Sequence, residues 1–189
     1  SSKSDIEKEI EIHDKLCDKI KYYEYTDINS IPLDMHSVYG AFVKGEAVCD
    51  GMSKSYQILL DRANIENILV VGKIEELHAW NLVKIENKWY NVDITSDKSI
   101  KGEDSFTIHS YFNVTDDMIQ STHTFSSKEL LPEATGTKYN YYTYKNYFID
   151  SNDNFNDKLQ KIISSSKDSN VLEFAVNKNI KDVPDKMIS

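Results

Sequence analysis

The chain contains few cysteines, which cross-link small folds, and few prolines and glycines, which interrupt helices and strands. It has two cysteines, three prolines and six glycines in 189 residues. Two cysteines cannot form a disulfide framework, and a chain of this length can bury a core without one. We expect Cys17 and Cys49 to be reduced, because pairing them would consume a thiol that two later segments are placed to serve. The length favours one domain over residues 1–189, with a core over about residues 5–160.

Clusters of basic residues and long apolar runs are also lacking. The formal net charge is -9 and the pI is about 5.0, which argues against nucleic acid or an anionic membrane as partner. No run approaches the roughly 18 apolar residues that span a bilayer, so we expect no membrane insertion. The chain starts at Ser1 and ends at Ser189, and we expect it to be a piece of a longer protein whose targeting segment lies elsewhere.

Apolar spacing predicts that helices dominate the first third of the chain. A capping-box pattern at residues 4–7 begins the first helix. Its inner stripe consists of Ile6, Ile10, His13, Leu16, Cys17 and Ile20. We interpret His13 as a core histidine in preference to a catalytic one. A second helix is predicted over residues 33–43, and a third from Cys49 or Asp50 to about Ala63.

From residue 65 the pattern changes to the alternation that is typical of strands. Strands are predicted over residues 65–72, 79–85, 89–94, 111–114, 139–144, 147–149 and 171–176, with one helix over residues 154–163. Residues 99–105 and 164–170 are predicted to be exposed loops. Helices followed by a mostly antiparallel sheet define an α+β fold.

Cys49 lies where the third helix is predicted to begin. Unpaired backbone N–H groups and the helix dipole favour thiolate over thiol at such a position, which suits a nucleophile. The alternative is a buried cysteine that acts as a small hydrophobe. Cys49 by itself does not decide between these interpretations.

Strand register connects Cys49 to a histidine and an aspartate. A two-residue turn at residues 86–87 pairs Ile85 with Lys88, which puts His78 and Asp93 on the same face of a hairpin. Such diagonal neighbours lie about 7–8 Å apart, within reach of an imidazole and a carboxylate. Asp93 would fix one imidazole nitrogen and leave the other for the thiol. Taken singly, His78 and Asp93 could equally be structural, and Trp80 on that face could either line the cleft or fill the core.

Three ordered motifs carry these residues: GEAVCDGMS at residues 45–53, HAWNLV at 78–83 and KWYNVDIT at 88–95. Together they resemble the transglutaminase-like superfamily, in particular bacterial transglutaminase-core domains with a papain-like fold. Segments IHDKL at residues 12–16 and YFNVTD at 111–116 also resemble family segments. The resemblance therefore extends over about residues 5–160.

The resemblance implies that Cys49 is a nucleophile, His78 its base and Asp93 the group that orients the base. The substrate would be a protein or peptide amide, attacked to give a thioester that is released to an amine or to water. The backbone N–H of Cys49 would be one oxyanion donor, and Tyr39 and Trp80 are candidate substrate contacts. Family members usually carry a tryptophan where this chain has Ser96, which bears on substrate preference.

Two further expectations concern setting and alternative function. By analogy with the family, the protein would be extracellular or on the surface of a bacterium. The alternative to an enzyme is a noncatalytic transglutaminase-like module that binds or supports a partner within a larger surface protein.

An acidic run at residues 150–157 invites a calcium interpretation, because animal transglutaminases need calcium. It does not fit an EF-hand, since Phe155 stands at the turn glycine and Lys161 at the final glutamate. Asp153 or Asn154 as a helix N-cap explains the run. The five histidines, which are His13, His36, His78, His109 and His123, show no zinc spacing. We predict no metal and no organic cofactor.

Overall fold

The computed structural model describes residues 3–98, 106–151, 154–166 and 172–178. The chain forms two compact units, Ser1–Tyr139 and Asn140–Ser189. The loop predicted at residues 99–105 lies outside the described residues, as do Asp153 and residues 167–171. In the described part of the first unit, helices combine with a four-stranded antiparallel sheet, so the fold is α+β as predicted.

Three helices belong to the first unit: α1 (Asp5–Lys19), α2 (Cys49–Arg62) and the single turn α3 (Asp116–Ile119). Helix α1 begins at the predicted capping box, where the Glu7 carboxylate accepts a hydrogen bond of 2.7 Å from the Ser4 backbone N–H. Its inner face buries the predicted stripe apart from the half-buried Ile10. It also buries the Glu9 side chain completely, which the sequence pattern did not predict.

The helix predicted over residues 33–43 is wrong as one continuous α-helix. A 3₁₀ turn covers Leu33–His36, extended backbone follows at Ser37, and a π-helical turn covers Gly40–Lys44. The chain folds back so tightly that a Cβ on Gly40 would lie 2.3 Å from the Asp34 carbonyl oxygen. Gly45 then ends the turn in the left-handed region, at a φ of 74°.

One sheet of four strands organises the first unit, in the order β5-β4-β3-β6. Its strands are β3 (Asn67–Lys73), β4 (Leu77–Ile85), β5 (Lys88–Val92) and β6 (Thr124–Phe125). The register of the β4–β5 hairpin is the predicted one, with Ile85 opposite Lys88. Glu86 and Asn87 have φ values of 45° and 65°, as a tight two-residue hairpin turn requires.

Residues 111–114 do not form the predicted strand. Only Val114 pairs with the sheet, in an isolated bridge to Asn91. Asn113 takes a φ of 54°, which interrupts extended backbone just before that bridge.

The two faces of the sheet have different roles. On one face, Ser53 of α2 donates to the Ala79 carbonyl at 2.9 Å and accepts from Asn81 at 3.2 Å. On the other face, Val70, Trp80 and Leu82 pack in an apolar core that also contains Val114, Ile119 and Ala134. A short parallel pair, β1 (Lys21–Tyr22) with β2 (Glu46–Ala47), leads into α2.

The second unit contains α4 (Tyr141–Tyr144), β7 (Phe148–Ile149), α5 (Phe155–Ser165) and β8 (Ala175–Val176). The strand predicted at residues 139–144 is wrong, because Tyr144 N–H bonds back to the Asn140 carbonyl and closes a helical turn. Asn154 stands at the N-cap position of α5 as predicted, but its side chain donates to Asp150 instead of capping. Strands β7 and β8 pair in parallel.

Among the helices that the structure describes, none combines the length and the apolar composition needed to span a membrane.

Candidate functional site

The start of α2 places Cys49 by backbone contacts. The Val48 N–H donates to the Met35 carbonyl at 3.0 Å, and Ala47 pairs with Tyr22 across β1 and β2. A Cβ on Gly51 would lie 2.4 Å from the Met35 carbonyl oxygen, so the first turn of α2 rests directly on backbone. Cys49 is half-buried at this position, and its thiol is free. The alternative interpretation, a fully buried cysteine that acts as a small hydrophobe, therefore does not apply to Cys49.

His78 and Asp93 contact each other as the hairpin register predicted. His78 Nε2 lies 2.8 Å from Asp93 Oδ2; the imidazole is 11% exposed and the carboxylate 0%. Because Nε2 is occupied by Asp93, Nδ1 is the nitrogen left for another partner. His78 interacts with the Cys49 thiol, and both residues line one cavity. The structure thus brings together all three residues that the sequence singled out.

Local backbone fixes the Asp93 carboxylate. Its Oδ1 accepts from the N–H groups of Thr95 and Ser96 at 3.0 and 3.2 Å, and its Oδ2 accepts from the Ser96 hydroxyl at 2.5 Å. Ser96 occupies the place where the resemblance leads one to expect tryptophan. Its side chain therefore adds a hydrogen bond to Asp93 in place of an indole.

A second histidine also binds Asp93, and the sequence reasoning missed it. His123 Nε2 lies 3.0 Å from Asp93 Oδ2, and its Nδ1 lies 2.8 Å from the Thr122 hydroxyl. It is brought there by the two-residue strand β6, whose Thr124 pairs with Lys73. A strand this short leaves no periodic signal in a sequence, so only the unexplained histidine itself could have pointed to it.

These contacts favour the charged forms of both Asp93 and His78. Burial alone would raise the pKa of Asp93, but hydrogen bonds from His123, His78 and Ser96 outweigh it and hold that pKa well below its usual range. Burial lowers the pKa of His78, but the hydrogen bonds and charges of Asp93 and Cys49 outweigh that effect and raise it to about 10. His78 is therefore protonated at neutral pH.

Trp80 and Tyr39 lie elsewhere than in the cavity beside Cys49. Trp80 is fully buried, donates to Asn91 Oδ1 at 3.0 Å and stacks with the His78 ring at 6.3 Å between centroids. Tyr39 is half exposed, with the Lys44 ammonium 5.8 Å from its ring centre. Neither residue is part of the cavity lining, and their roles as substrate contacts stay predictions.

Cys17 belongs to a second set of cysteine, histidine and aspartate. Its thiol lies 3.9 Å from His13 Nε2, which in turn lies 3.2 Å from Asp97 Oδ2. The other nitrogen of His13, Nδ1, lies 2.9 Å from Asp14 Oδ1, the oxygen that also contacts His109. Cys17, His13 and Asp97 are all buried.

Two groups of described residues bring three metal-ligating atoms within 4.8 Å of one another: His78 with Asp93 and His123, and His13 with Asp14 and His109. In each group the two imidazoles share one carboxylate oxygen by hydrogen bonds. Spacing along the chain could not predict either group, because each combines residues from distant segments.

Comparison with known proteins agrees with the motifs. Residues 1–94 match the family model of the transglutaminase-like superfamily. These residues include Cys49, His78 and Asp93, and over them the resemblance to that superfamily is confirmed. A comparison with curated proteins gives no match.

The solved structures that are similar to the chain include the following two. One is described as a TGase: it is 15% identical, with a TM-score of 0.47, and the match covers 92% of this chain and 47% of that one. The other is a candidate cysteine protease from Cytophaga hutchinsonii, 17% identical with a TM-score of 0.38, covering 46% of this chain and 30% of that one. In both comparisons the match spans less than half of the solved structure.

Proposed function

We propose that this protein is a cysteine-dependent acyl-transfer enzyme that acts on protein or peptide amides. Cys49 is the nucleophile, His78 the general acid and base, and Asp93 the carboxylate that orients His78. The observation that carries the proposal is the His78–Asp93 hydrogen bond of 2.8 Å at a cavity that Cys49 and His78 both line. The match of residues 1–94 to the family model of the transglutaminase-like superfamily supports it.

In the first half of the reaction, the Cys49 thiolate attacks the carbonyl carbon of the substrate amide and a C–S bond forms. The carbonyl electrons move to oxygen, where backbone N–H groups at the start of α2 are oriented to stabilise the negative charge. When the oxyanion collapses, the C–N bond breaks and the His78 imidazolium gives its proton to the departing nitrogen. Ammonia or an amine leaves, and a thioester remains on Cys49.

In the second half, neutral His78 accepts a proton from the incoming nucleophile. A primary amine gives an amide cross-link, and water gives a carboxylic acid. In both cases Cys49 departs as thiolate and His78 is again the imidazolium. Asp93 keeps Nε2 of His78 hydrogen-bonded throughout, so that Nδ1 is the nitrogen that exchanges the proton.

Alkylation kinetics test whether the site is catalytic. At pH 6.5, iodoacetamide should modify Cys49 faster than it modifies free glutathione, because the His78 imidazolium favours the thiolate. His78→Ala should reduce the rate to that of an ordinary thiol. If Cys49 reacts no faster than glutathione and His78→Ala has no effect, the enzyme assignment is wrong and a noncatalytic binding module is the better description.

A second assay separates the two acyl acceptors. The protein is incubated with glutamine-containing peptides and a fluorescent primary amine, with Cys49→Ala as the control. Incorporation of the amine identifies transamidation, and new peptide termini identify hydrolysis of the chain. Absence of both products across a broad peptide panel would argue against acyl transfer on amides.

A further inference from the structure

A cavity of about 240 Å³ opens beside the Cys49 thiol. Three parts of the first unit contribute to its lining: the segment after β1, the start of α2, and strands β3 and β4. Building on the proposed function, we infer that this cavity binds an aliphatic or aromatic side chain of the substrate, next to the amide that Cys49 attacks. The substrate class is therefore a peptide segment with an apolar residue adjacent to the reacting group.

The cavity presents apolar side chains to solvent on more than one part of its lining. Ile28, in the segment after β1, is 42% exposed, while Val71 of β3 and Leu77 of β4 are 47% and 64% exposed. Apolar side chains that are exposed together around a concavity mark a binding site, because leaving them in water costs free energy that a ligand recovers. Here they surround a proposed nucleophile.

Among the polar residues of the lining, His36, Asp50 and Lys54 bind one another, and His78 binds Asp93. Asp50 Oδ1 lies 2.9 Å from His36 Nδ1, and Asp50 Oδ2 accepts from the Lys54 ammonium at 2.8 Å. The same ammonium donates to the His36 carbonyl at 2.8 Å. Because the Lys54 and Asp50 charges compensate each other, a charged substrate group gains little here, whereas an apolar group loses nothing.

The volume suits one side chain. An apolar cavity of about 150 Å³ is enough to bind benzene. At about 240 Å³, this cavity has room for a phenyl ring or a branched aliphatic chain with its connecting methylene group. This volume lies below the range of about 300–1,000 Å³ that is usual for drug-sized ligands. We therefore expect the cavity to bind the side chain of a single substrate residue.

Local hydrogen bonds hold the part of the cavity wall that follows β1. The Asp27 carboxylate accepts from the Asn29 N–H at 2.9 Å, and the Asp27 carbonyl accepts from the Ser30 N–H at 2.9 Å. These bonds close the 3₁₀ turn Ile28–Ser30 that carries Ile28. A wall held in this way reduces the entropy cost of ordering the site on binding.

Chloroacetamides with different N-substituents test the inference, because the Cys49 thiolate displaces chloride from all of them by the same step. The panel carries benzyl, isobutyl, 2-hydroxyethyl and carboxymethyl groups, with iodoacetamide as a small reference. The measured quantity is the second-order rate constant for alkylation of Cys49. Burial of one apolar group predicts that benzyl and isobutyl react about 10- to 100-fold faster than hydroxyethyl, relative to the same compounds with glutathione.

Neutral polar variants locate the preference. Leu77→Gln and Ile28→Gln change two parts of the cavity without adding charge near His78, and each should reduce the benzyl preference to within about threefold. Leu33→Gln is the matched control, because Leu33 is 87% exposed and does not belong to the lining. The rate with iodoacetamide should be unchanged in Leu33→Gln. In the two cavity variants the benzyl rate is compared with the iodoacetamide rate of the same variant, and circular dichroism verifies that all three proteins fold.

Each of the other possible outcomes contradicts either the apolar site or the proposed function. Rapid alkylation by iodoacetamide without any benzyl preference overturns the apolar site and leaves the proposed function standing. A preference for the carboxymethyl probe, or a benzyl preference that persists in both cavity variants, also overturns it. Alkylation by every probe at the rate of a free thiol overturns the proposed function, and this inference with it.

Discussion

Two sets of cysteine, histidine and aspartate lie in the first unit, and they differ in access and in how the imidazole is used. Cys49 is half-buried beside a cavity, whereas Cys17 is 1% exposed. His78 offers Nε2 to Asp93, which leaves Nδ1 for another partner, and it lines the same cavity as Cys49. His13 offers both nitrogens to carboxylates, Nδ1 to Asp14 and Nε2 to Asp97.

The difference shows that the three residue types do not by themselves make a reactive site. An imidazole whose two nitrogens both face carboxylates has no nitrogen free to exchange a proton with a thiol and a substrate. Cys17 instead donates to the Ile94 carbonyl at 3.5 Å and packs in the core. We interpret the Cys17 set as structural and the Cys49 set as chemical. Three predictions test that distinction, and a fourth concerns Glu9, which lies near His13 of the Cys17 set.

The largest effect is expected from removing each thiol. Cys49→Ala should lower acyl transfer by more than about 10³-fold, because no other group can form the thioester. Cys17→Ala should leave the rate within about threefold and lower the free energy of unfolding by about 1 kcal/mol through the small cavity it creates. Rates and urea unfolding of both variants give the comparison, and a strong loss of activity in a folded Cys17→Ala protein would contradict it.

The second largest difference in activity between the two sets is expected when the aspartate of each set is neutralised. Asp93→Asn removes the charge that holds the His78 imidazolium, so we expect a loss of about 10²-fold or more in turnover. Asp97→Asn should change turnover by less than about threefold, because the Asp97 carboxylate hydrogen-bonds with His13 and the Tyr111 N–H and not with the side chains of the Cys49 set. Equal losses in the two variants would mean that both sets serve the reaction.

The titration of His78 provides a third test. The raised pKa of about 10 means that the imidazolium should persist through neutral pH and lose its proton only as the pH approaches 10. Cys49 contributes to the raised pKa of His78, so the midpoint should fall in Cys49→Ala. NMR of histidine-labelled protein measures both midpoints. An imidazole that titrates near 6.5 in both proteins would show that no ion pair forms.

The smallest effect on activity is expected at Glu9, on the buried side of α1. Burial raises the pKa of Glu9 to about 8, so the folded state holds a proton that the unfolded state releases near 4.5. Stability should therefore fall as the pH rises from about 4.5 through 8. Glu9→Gln should flatten this part of the stability curve and leave turnover unchanged. Thermal unfolding at pH 5 and pH 8 measures it, and an unaltered slope would contradict the assignment.

Much of the fold followed from local patterns. The capping box at Ser4, the helix that begins at Cys49 and the hairpin turn at residues 86–87 rest on interactions between near neighbours in the chain. The helix predicted over residues 33–43 failed for the opposite reason. The turns that replace the helix over residues 33–43 depend on a backbone contact of Gly40 with Asp34 and Glu46, which no periodicity reports.

The candidate site was also predicted only in part, and the same distinction between near and distant residues explains which part. Hairpin register predicted the contact of His78 with Asp93, because alternation along two paired strands fixes which side chains share a face. His123 and the buried Glu9 were missed because their partners are 30 and 104 residues away, at Asp93 and Asn113. The cavity beside Cys49 combines three separate segments, so its apolar lining could be recognised only in the folded chain.

The close contact of Gly51 with the Met35 carbonyl offers a way to change the distance between the nucleophile and its base. A single added methyl group there would meet the Met35 carbonyl oxygen at 2.4 Å, so Gly51→Ala must lift the first helical turn away from its support. The thiol two residues earlier would move with it, while every reacting group keeps its chemical identity. The distance between nucleophile and base can thus be varied independently of their chemistry, at a site where small displacements weigh heavily on rate.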